Sequence, residues 1–191
     1  MCRTLIFVIV CLAGFTSGLA GQETMKSYPA YLKNETPNYA EFSNDGKYIA
    51  AGVYGAVRVW EIESADFKDY QTKLKNETPD FVCFSPEGAR IAAGLYGVVR
   101  VWEIGTGKYR DYEVRLKNET PGFVCFSPDG KLIAAGVYGA VRVWNLQSGQ
   151  FHDYPVKSKS QTPVFVRFSS DSRFVAAGSY GEVRLWEIKA E

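Results

Sequence analysis

The chain has 191 residues, of which 46% are hydrophobic, and its 22 basic and 21 acidic side chains give a net charge of +1. This balance argues against the basic surface that nucleic-acid binding or attraction to an anionic membrane would require. The length suffices for one domain with its own hydrophobic core.

The first twenty residues form a segment of their own. Arg3 precedes an apolar run from Leu5 to Phe15, and small residues around Ala20 then offer a cleavage site. This order is typical of a secretory signal peptide, and the run is too short to span a bilayer comfortably. We predict that residues 1–20 are a signal peptide and that residues 21–191 are secreted and soluble, with an uncleaved anchor as the alternative.

The rest of the chain repeats itself every 42 residues. A period of this length is typical of a solenoid, a propeller or an array. The repeat divides residues 21–191 into units of about 37–74, 79–116, 121–158 and 163–188. One tryptophan recurs in each unit, and we predict a structural role for all of them: Trp60, Trp102, Trp144 and Trp186.

Each unit consists of short strand patterns. The segments "FVCFS" and "VRVWEI" carry β-branched and aromatic residues between turn residues, which indicates strands. "SPDG" at 127–130 predicts a type I turn, and "VYG" predicts a tight hairpin whose glycine has a positive φ. Because no window has helical periodicity, the sequence predicts an all-β fold.

Residues 123–145, "FVCFSPDGKLIAAGVYGAVRVWN", resemble the WD40 repeat, and the likeness recurs four times over residues 21–191. The resemblance implies four-stranded antiparallel blades around a central channel. The chain departs from the family in two ways. The aspartate after the tryptophan is replaced, and the glycine–histidine pair is absent. The family's buried hydrogen-bond relay therefore does not carry over, and only the tryptophan does. The residues that follow the tryptophans are Glu61, Glu103, Asn145 and Glu187.

An outer-strand pattern ends each of the first three units, and an additional copy at 25–32 precedes them. The resemblance implies that segment 25–32 completes the last blade, which has no outer strand of its own. Three arrangements stay open: a closed four-blade ring, an open partial ring, and half of an eight-blade homodimer. Eight blades turn through about 45° each and stack more flatly, which suits the alanine and glycine of the "AAG" strand and favours the dimer.

The hairpins and the loops between outer and inner strands lie on one face in WD40-like blades. Here these are the "VYG" hairpins and the "LKNETP" loops. Aromatic rings beside amides suit sugar recognition, because rings stack on apolar sugar faces and amides bond hydroxyls. The alternative is structural, with each tyrosine hydroxyl bonded to the neighbouring loop. The candidate ligand-binding residues are Tyr54, Tyr96, Tyr138, Tyr180, Asn34, Asn76 and Asn118.

The same three asparagines, Asn34, Asn76 and Asn118, are also candidate N-glycosylation sites, since each begins the sequon "NET". The proline after each sequon is expected to reduce glycan transfer.

Two other repeated positions carry weaker predictions. For the arginines two residues before each tryptophan, such as Arg58, we expect stems that cover the indole. Cys83 and Cys125 occupy equivalent places one repeat apart, which predicts free, semi-buried thiols rather than a disulfide within the chain. A disulfide between chains is the alternative.

Enzymatic chemistry has little support in the sequence. His152, beside Asp153, is the single histidine, and no nucleophile or metal-ligand spacing accompanies it. We therefore expect no catalytic residue, metal or cofactor. The predicted function is secreted, non-enzymatic binding of a protein partner. The alternatives are a lectin-like glycan-binding protein and a structural component of an extracellular matrix.

Overall fold

The computed structural model describes residues 26–29, 36–114, 116–157, 161–179 and 181–189. These residues form fifteen strands and, within the described ranges, no helix, which confirms the all-β prediction. The strands are β1 (Ala40–Phe42), β2 (Tyr48–Val53), β3 (Ala56–Glu61), β4 (Phe67–Gln71), β5 (Val82–Phe84), β6 (Arg90–Leu95), β7 (Val98–Glu103), β8 (Tyr109–Glu113), β9 (Val124–Phe126), β10 (Leu132–Val137), β11 (Ala140–Asn145), β12 (Phe151–Pro155), β13 (Phe165–Phe168), β14 (Phe174–Ser179) and β15 (Glu182–Glu187).

The strands form four antiparallel sheets, which we call blades 1 to 4. Blade 1 has the order β1-β2-β3-β4, blade 2 has β5-β6-β7-β8, blade 3 has β9-β10-β11-β12, and blade 4 has β13-β14-β15. The strands of each blade lie within one of the units deduced from the repeat. Successive strands are neighbours in every sheet, which is the meander expected of a propeller blade.

Blades stack face to face along the chain. We call the face toward the next blade the forward face and the face toward the preceding blade the rear face. The forward face of blade 1 presents Ala50, Val57 and Val59 to Ile91 and Trp102 on the rear face of blade 2. The small alanine side chains let the sheets approach closely, so both faces of the middle blades are buried.

Outer-strand tyrosines join each blade to the next. The Tyr70 ring of blade 1 packs edge-on against Trp102 of blade 2, with 6.4 Å between ring centroids. The Tyr70 hydroxyl donates to the Ile104 carbonyl oxygen over 2.7 Å, and burial raises the pKa of Tyr70 to about 12. Tyr112 makes the same contacts with Trp144 and the Leu146 carbonyl oxygen. These tryptophans are buried, whereas Trp186 of blade 4 is half-buried.

The N-terminal segment 26–29 lies against blade 1 in the position of an outer strand from a preceding blade. The Tyr28 ring packs edge-on against Trp60 at 6.3 Å, and its hydroxyl donates to the Ile62 carbonyl oxygen over 3.0 Å. These are the contacts that Tyr70 makes with blade 2. Residues 25 and 30–32 of the predicted outer strand lie outside the described residues, so its completion of blade 4 stays a prediction.

The row of blades does not close on itself in the described part of the chain. Blade 4 has three strands there, and no fourth strand pairs with β15. Val183 and Leu185 of β15 are 69% and 64% exposed, whereas Val141 and Val143, their counterparts in blade 3, are buried. The closed four-blade ring, one of the three arrangements considered, is therefore not present in this structure.

Both cysteines of the blades are free and buried. Cys83 packs in one core cluster with Phe126 of blade 3, and Cys125 packs in another with Phe168 of blade 4, so each side chain lies on the face toward the next blade. Burial raises the pKa of Cys83 well above its ordinary value and that of Cys125 to about 12. The prediction of free thiols agrees with this geometry.

The buried thiols should react slowly. At pH 8, we expect alkylation of Cys125 by iodoacetamide to be about a thousandfold slower in the folded protein than in urea, because the thiolate is the nucleophile and burial suppresses it. The ordinary pKa of the thiol is 9.0, whereas burial raises the pKa of Cys125 in the folded protein to about 12. Between these two pH values the unfolded chain loses a proton that the folded chain keeps, so the free energy of unfolding should fall as the pH rises. Residue-resolved mass spectrometry measures the labelling, and equal rates in both states would contradict the burial.

The predicted signal peptide, residues 1–20, lies outside the described residues. Among the residues that are described, no helix is long and apolar enough to cross a membrane.

Candidate binding face

Two-residue hairpins connect the second and third strands of the first three blades. Val53 pairs with Ala56 across Tyr54 and Gly55, and the same register recurs in blades 2 and 3. Gly55 has a φ of 75°, a conformation that glycine adopts without strain. The sequence "YG" therefore fixes a tight turn with a tyrosine at its tip.

Each hairpin glycine is held from two sides. The Gly55 amide donates to the Glu77 carbonyl oxygen over 2.8 Å, and the Gly55 carbonyl accepts from the Thr72 amide over 2.9 Å. Blade 2 repeats this with Gly97, Glu119 and Val114. These bonds place the hairpins and the loops between blades on the same face, as the sequence predicted.

The loop after blade 1 also holds the hairpin of blade 2. The Glu77 carboxylate accepts a hydrogen bond from the backbone amide of Tyr96. Glu77 therefore bridges two hairpins, one through its backbone and one through its side chain. The hairpins that carry Tyr54 and Tyr96 are consequently tied to one loop.

The rings of the hairpin tyrosines are accessible. Tyr54, Tyr96 and Tyr138 are 49%, 42% and 41% exposed. Within the described ranges, the hydroxyl groups of Tyr96 and Tyr138 make no hydrogen bond to the protein, so at these two positions the hydroxyl does not bond the loop as the structural alternative required. Tyr180 lies outside the described residues.

Polar and apolar side chains of the loops share this face. Asn76 and Asn118 are exposed, which is the condition for a sequon to be reached by a glycan-transferring enzyme, and Asn34 lies outside the described residues. The same loops expose Leu74 and Leu116. We call the exposed hairpins and loops of blades 1 to 3 the tyrosine face. Its other exposed loop side chains include Lys73, Lys75 and Lys117.

Arginine–aspartate pairs with a buried arginine stabilise the outer part of blades 1 to 3, and sequence reasoning missed them. In blade 2, Nε and Nη2 of Arg100 donate to the two carboxylate oxygens of Asp111 over 2.6 and 2.8 Å. Nη1 donates to the Gln71 carbonyl oxygen of blade 1 over 3.3 Å. The guanidinium lies 3.8 Å from the Tyr109 ring centroid and 6.0 Å from that of Trp102.

The closest aromatic partner of this arginine is therefore an outer-strand ring rather than the predicted indole. The pairs recur as Arg58–Asp69 and Arg142–Asp153. A signal was present in the sequence, because each aspartate follows its arginine by eleven residues and shares the 42-residue period.

Blade 4 replaces the aspartate. Arg184, the counterpart of Arg100, pairs with Glu182 two residues earlier on the same strand, at 2.5 Å. Glu182 stands where blades 1 and 3 have an alanine, Ala56 and Ala140. The carboxylate that the other blades obtain from a fourth strand is thus supplied from within β15.

The inner strands line a groove of about 210 Å³. One register position recurs along it, occupied by Glu41, Cys83, Cys125 and Arg167 in blades 1 to 4. A second position carries stacked rings, with 3.9 Å between the centroids of Phe81 and Phe123.

His152 lies on the exposed side of outer strand β12, where its ring contacts Tyr154 with 4.7 Å between centroids. The described residues contain no group of three or more histidine, cysteine or acidic side chains that could hold a metal ion.

Comparison with known families locates the match in the second half of the chain. The family model described as "WD domain, G-beta repeat" matches residues 122–145 and 155–187. The blades are WD40-like. No curated protein matches the chain. The match covers blades 3 and 4, and the same topology in blades 1 and 2 extends the WD40-like architecture to the first two units. WD40 repeats are protein-interaction modules.

Proposed function

We propose that this protein is a secreted, non-enzymatic binding module that recognises a protein partner with its tyrosine face. The observation that carries the proposal is the set of exposed tyrosine rings on hairpins that hydrogen bonds hold in place. A fixed aromatic ring loses little conformational freedom on binding, and tyrosine is enriched among the residues that dominate interface energies.

The composition of the tyrosine face favours a protein partner over a glycan. Leu74 and Leu116 add apolar surface beside the rings, and Lys73, Lys75 and Lys117 add positive charge. A partner that presents apolar side chains and carboxylates would complement both features. Glycan binding remains the second candidate, since Asn76 and Asn118 expose amides on the same loops.

Secretion is part of the proposal. It is supported by the order of charge, apolar run and small residues in the first twenty positions and by the three "NET" sequons. Recovery of the tagged protein from culture medium, with a mature chain beginning near Gly21, would support it. Retention in the cell with an intact N-terminus would contradict it.

Tyrosine substitutions test the binding face. Tyr96→Ala should weaken binding of a partner captured from the extracellular fluid by about tenfold or more, because it removes an exposed anchor. Tyr96→Phe should retain most of the affinity if the ring carries the contact. Gln147→Ala, in an exposed turn at the other end of the blades, is the matched control. Calorimetric titration with the purified partner measures all three.

The outcomes separate the candidate functions. Equal affinity of Tyr96→Ala and Gln147→Ala would exclude this face as the binding site. Binding on a glycan array that disappears in Tyr96→Ala would assign the face to carbohydrate instead. Tyr138→Phe should leave the melting temperature within about 1 °C of the original, because its hydroxyl has no hydrogen-bond partner among the described residues whose loss would cost stability.

A further inference from the structure

The two ends of the row of blades leave different surfaces uncovered. At the trailing end, Val183 and Leu185 expose the forward face of blade 4. In blade 3 the corresponding Val141 and Val143 pack against the rear face of blade 4. Blade 4 therefore presents the same apolar face as its neighbours, without the next blade that covers it.

At the leading end, the inner strand of blade 1 is uncovered on its rear face. Phe42 is 42% exposed, whereas its counterparts Phe84 and Phe126 are 9% and 8% exposed because the preceding blade covers them. Toward the outside of the same face, Tyr28 covers Trp60. Segment 26–29 thus lies where the outer strand of a preceding blade would lie, and the described residues include no inner strands to accompany it.

The two ends of the row are complementary, because one lacks a fourth strand and the other has a segment in the position of one. Blade 4 has three strands, and the outer edge of β15 has no fourth strand among the described residues. Segment 26–29 forms no strand here and lies where the outer strand of a preceding blade would lie. Both parts are described in this structure, where segment 26–29 lies on blade 1 and is not paired with β15.

The Arg184–Glu182 pair, by which blade 4 differs from the other blades, fits an arrangement in which segment 26–29 pairs with β15. In the register of the other blades, the residue of the N-terminal segment opposite Arg184 is Ser27, where the other outer strands have aspartate. A serine cannot neutralise a buried guanidinium, and Glu182 supplies the carboxylate from β15 itself. The combination of Ser27 and Glu182 keeps Arg184 paired when this segment is the fourth strand of blade 4.

We propose that two copies of this chain form one eight-blade ring with two-fold symmetry. Segment 26–29 of each copy pairs with β15 of the other, and blade 4 of each copy packs on the rear face of blade 1 of the other. The arrangement removes both exposed apolar ends and both unpaired strand edges. This dimer is inferred from the two ends of the row of blades and does not depend on the function proposed for the tyrosine face.

Mass in solution tests the proposal directly. Light scattering of the purified protein should give about twice the mass of one chain, and the mass of a single chain would overturn the dimer. Leu185→Glu should yield a folded protein of half that mass, since it places a charge in the covered face. Val164→Glu, an equally exposed position on blade 4 outside that face, should leave the dimer intact. A dimer that survives Leu185→Glu would also overturn the proposal.

A cross-linking variant identifies the contact between copies. With Ser27→Cys and Arg184→Cys in the same chain, mild oxidation should give a covalent dimer on a non-reducing gel, because directly opposed antiparallel residues lie within disulfide distance. A cross-link within one chain, or none, would contradict the pairing between copies.

Discussion

Replacing Asp111 by asparagine should lower the free energy of unfolding by about 3 kcal/mol, because it leaves the buried Arg100 guanidinium without a counter-charge. The carboxylate accepts two hydrogen bonds from Arg100, and the arginine side chain is almost completely buried. Removing one partner of such a pair costs much more than the pair contributes net, since the remaining charge stays in a poorly solvated site. Urea denaturation followed by tryptophan fluorescence measures the loss.

Glu113→Gln provides the matched control. Glu113 is an exposed acidic residue on the same strand, β8, and its backbone carbonyl rather than its side chain contacts Arg142. The control should change stability by less than about 0.5 kcal/mol. Equal losses in the two variants would show that net charge, and not the buried pair, is responsible. Replacing Arg100 and Asp111 together by apolar residues should restore part of the stability.

Gly94→Ala should destabilise the protein by about 3 kcal/mol through overpacking. A Cβ at Gly94 would lie 1.9 Å from the carbonyl oxygen of Pro121, which belongs to the backbone of the loop entering blade 3. Because this neighbour is backbone and Pro121 is itself buried, the clash can be relieved only by moving the loop. That loop also carries Asn118 and Leu116, so the variant should weaken partner binding at the tyrosine face as well.

Gly105→Ala is the control for the glycine substitution. A Cβ at Gly105 would meet nothing within 4 Å, and its φ is not in the left-handed region. The alanine should be neutral or slightly stabilising, because it restricts the unfolded chain without a cost in the folded one. Thermal melts of the two variants give the comparison, and similar melting temperatures would show that the loop yields more easily than its contacts suggest.

The blade and its turns could be predicted because their causes are local. The alternation in "VRVWEI", the glycine after each hairpin tyrosine and the 42-residue period are all properties of neighbouring residues or of the repeat itself. They predicted strands, tight hairpins and four similar sheets, and the structure has these elements.

Contacts across strands were harder to predict. The Arg100–Asp111 pair depends on the register between β7 and β8, which the sequence pattern does not specify to one residue. The exposure of the hairpin tyrosines was equally hard to predict from the sequence. The expected loop partner of the tyrosine hydroxyl was plausible by proximity, but Glu77 instead accepts a hydrogen bond from the backbone amide of Tyr96, and the Tyr96 side chain is 42% exposed. Which blade ends are covered depends on packing beyond one repeat and could not be deduced from periodicity.

The junctions between blades are alike. Tyr28, Tyr70 and Tyr112 each contact the tryptophan of the following blade, and each arginine of blades 1 to 3 reaches back to a carbonyl of the preceding outer strand. An in-frame duplication or deletion of 42 residues would therefore generate a junction of the kind already in use. Gene rearrangement could lengthen or shorten such a protein without inventing a new interface, and the number of units per molecule is open to evolutionary change in a way that the sequence within each unit is not.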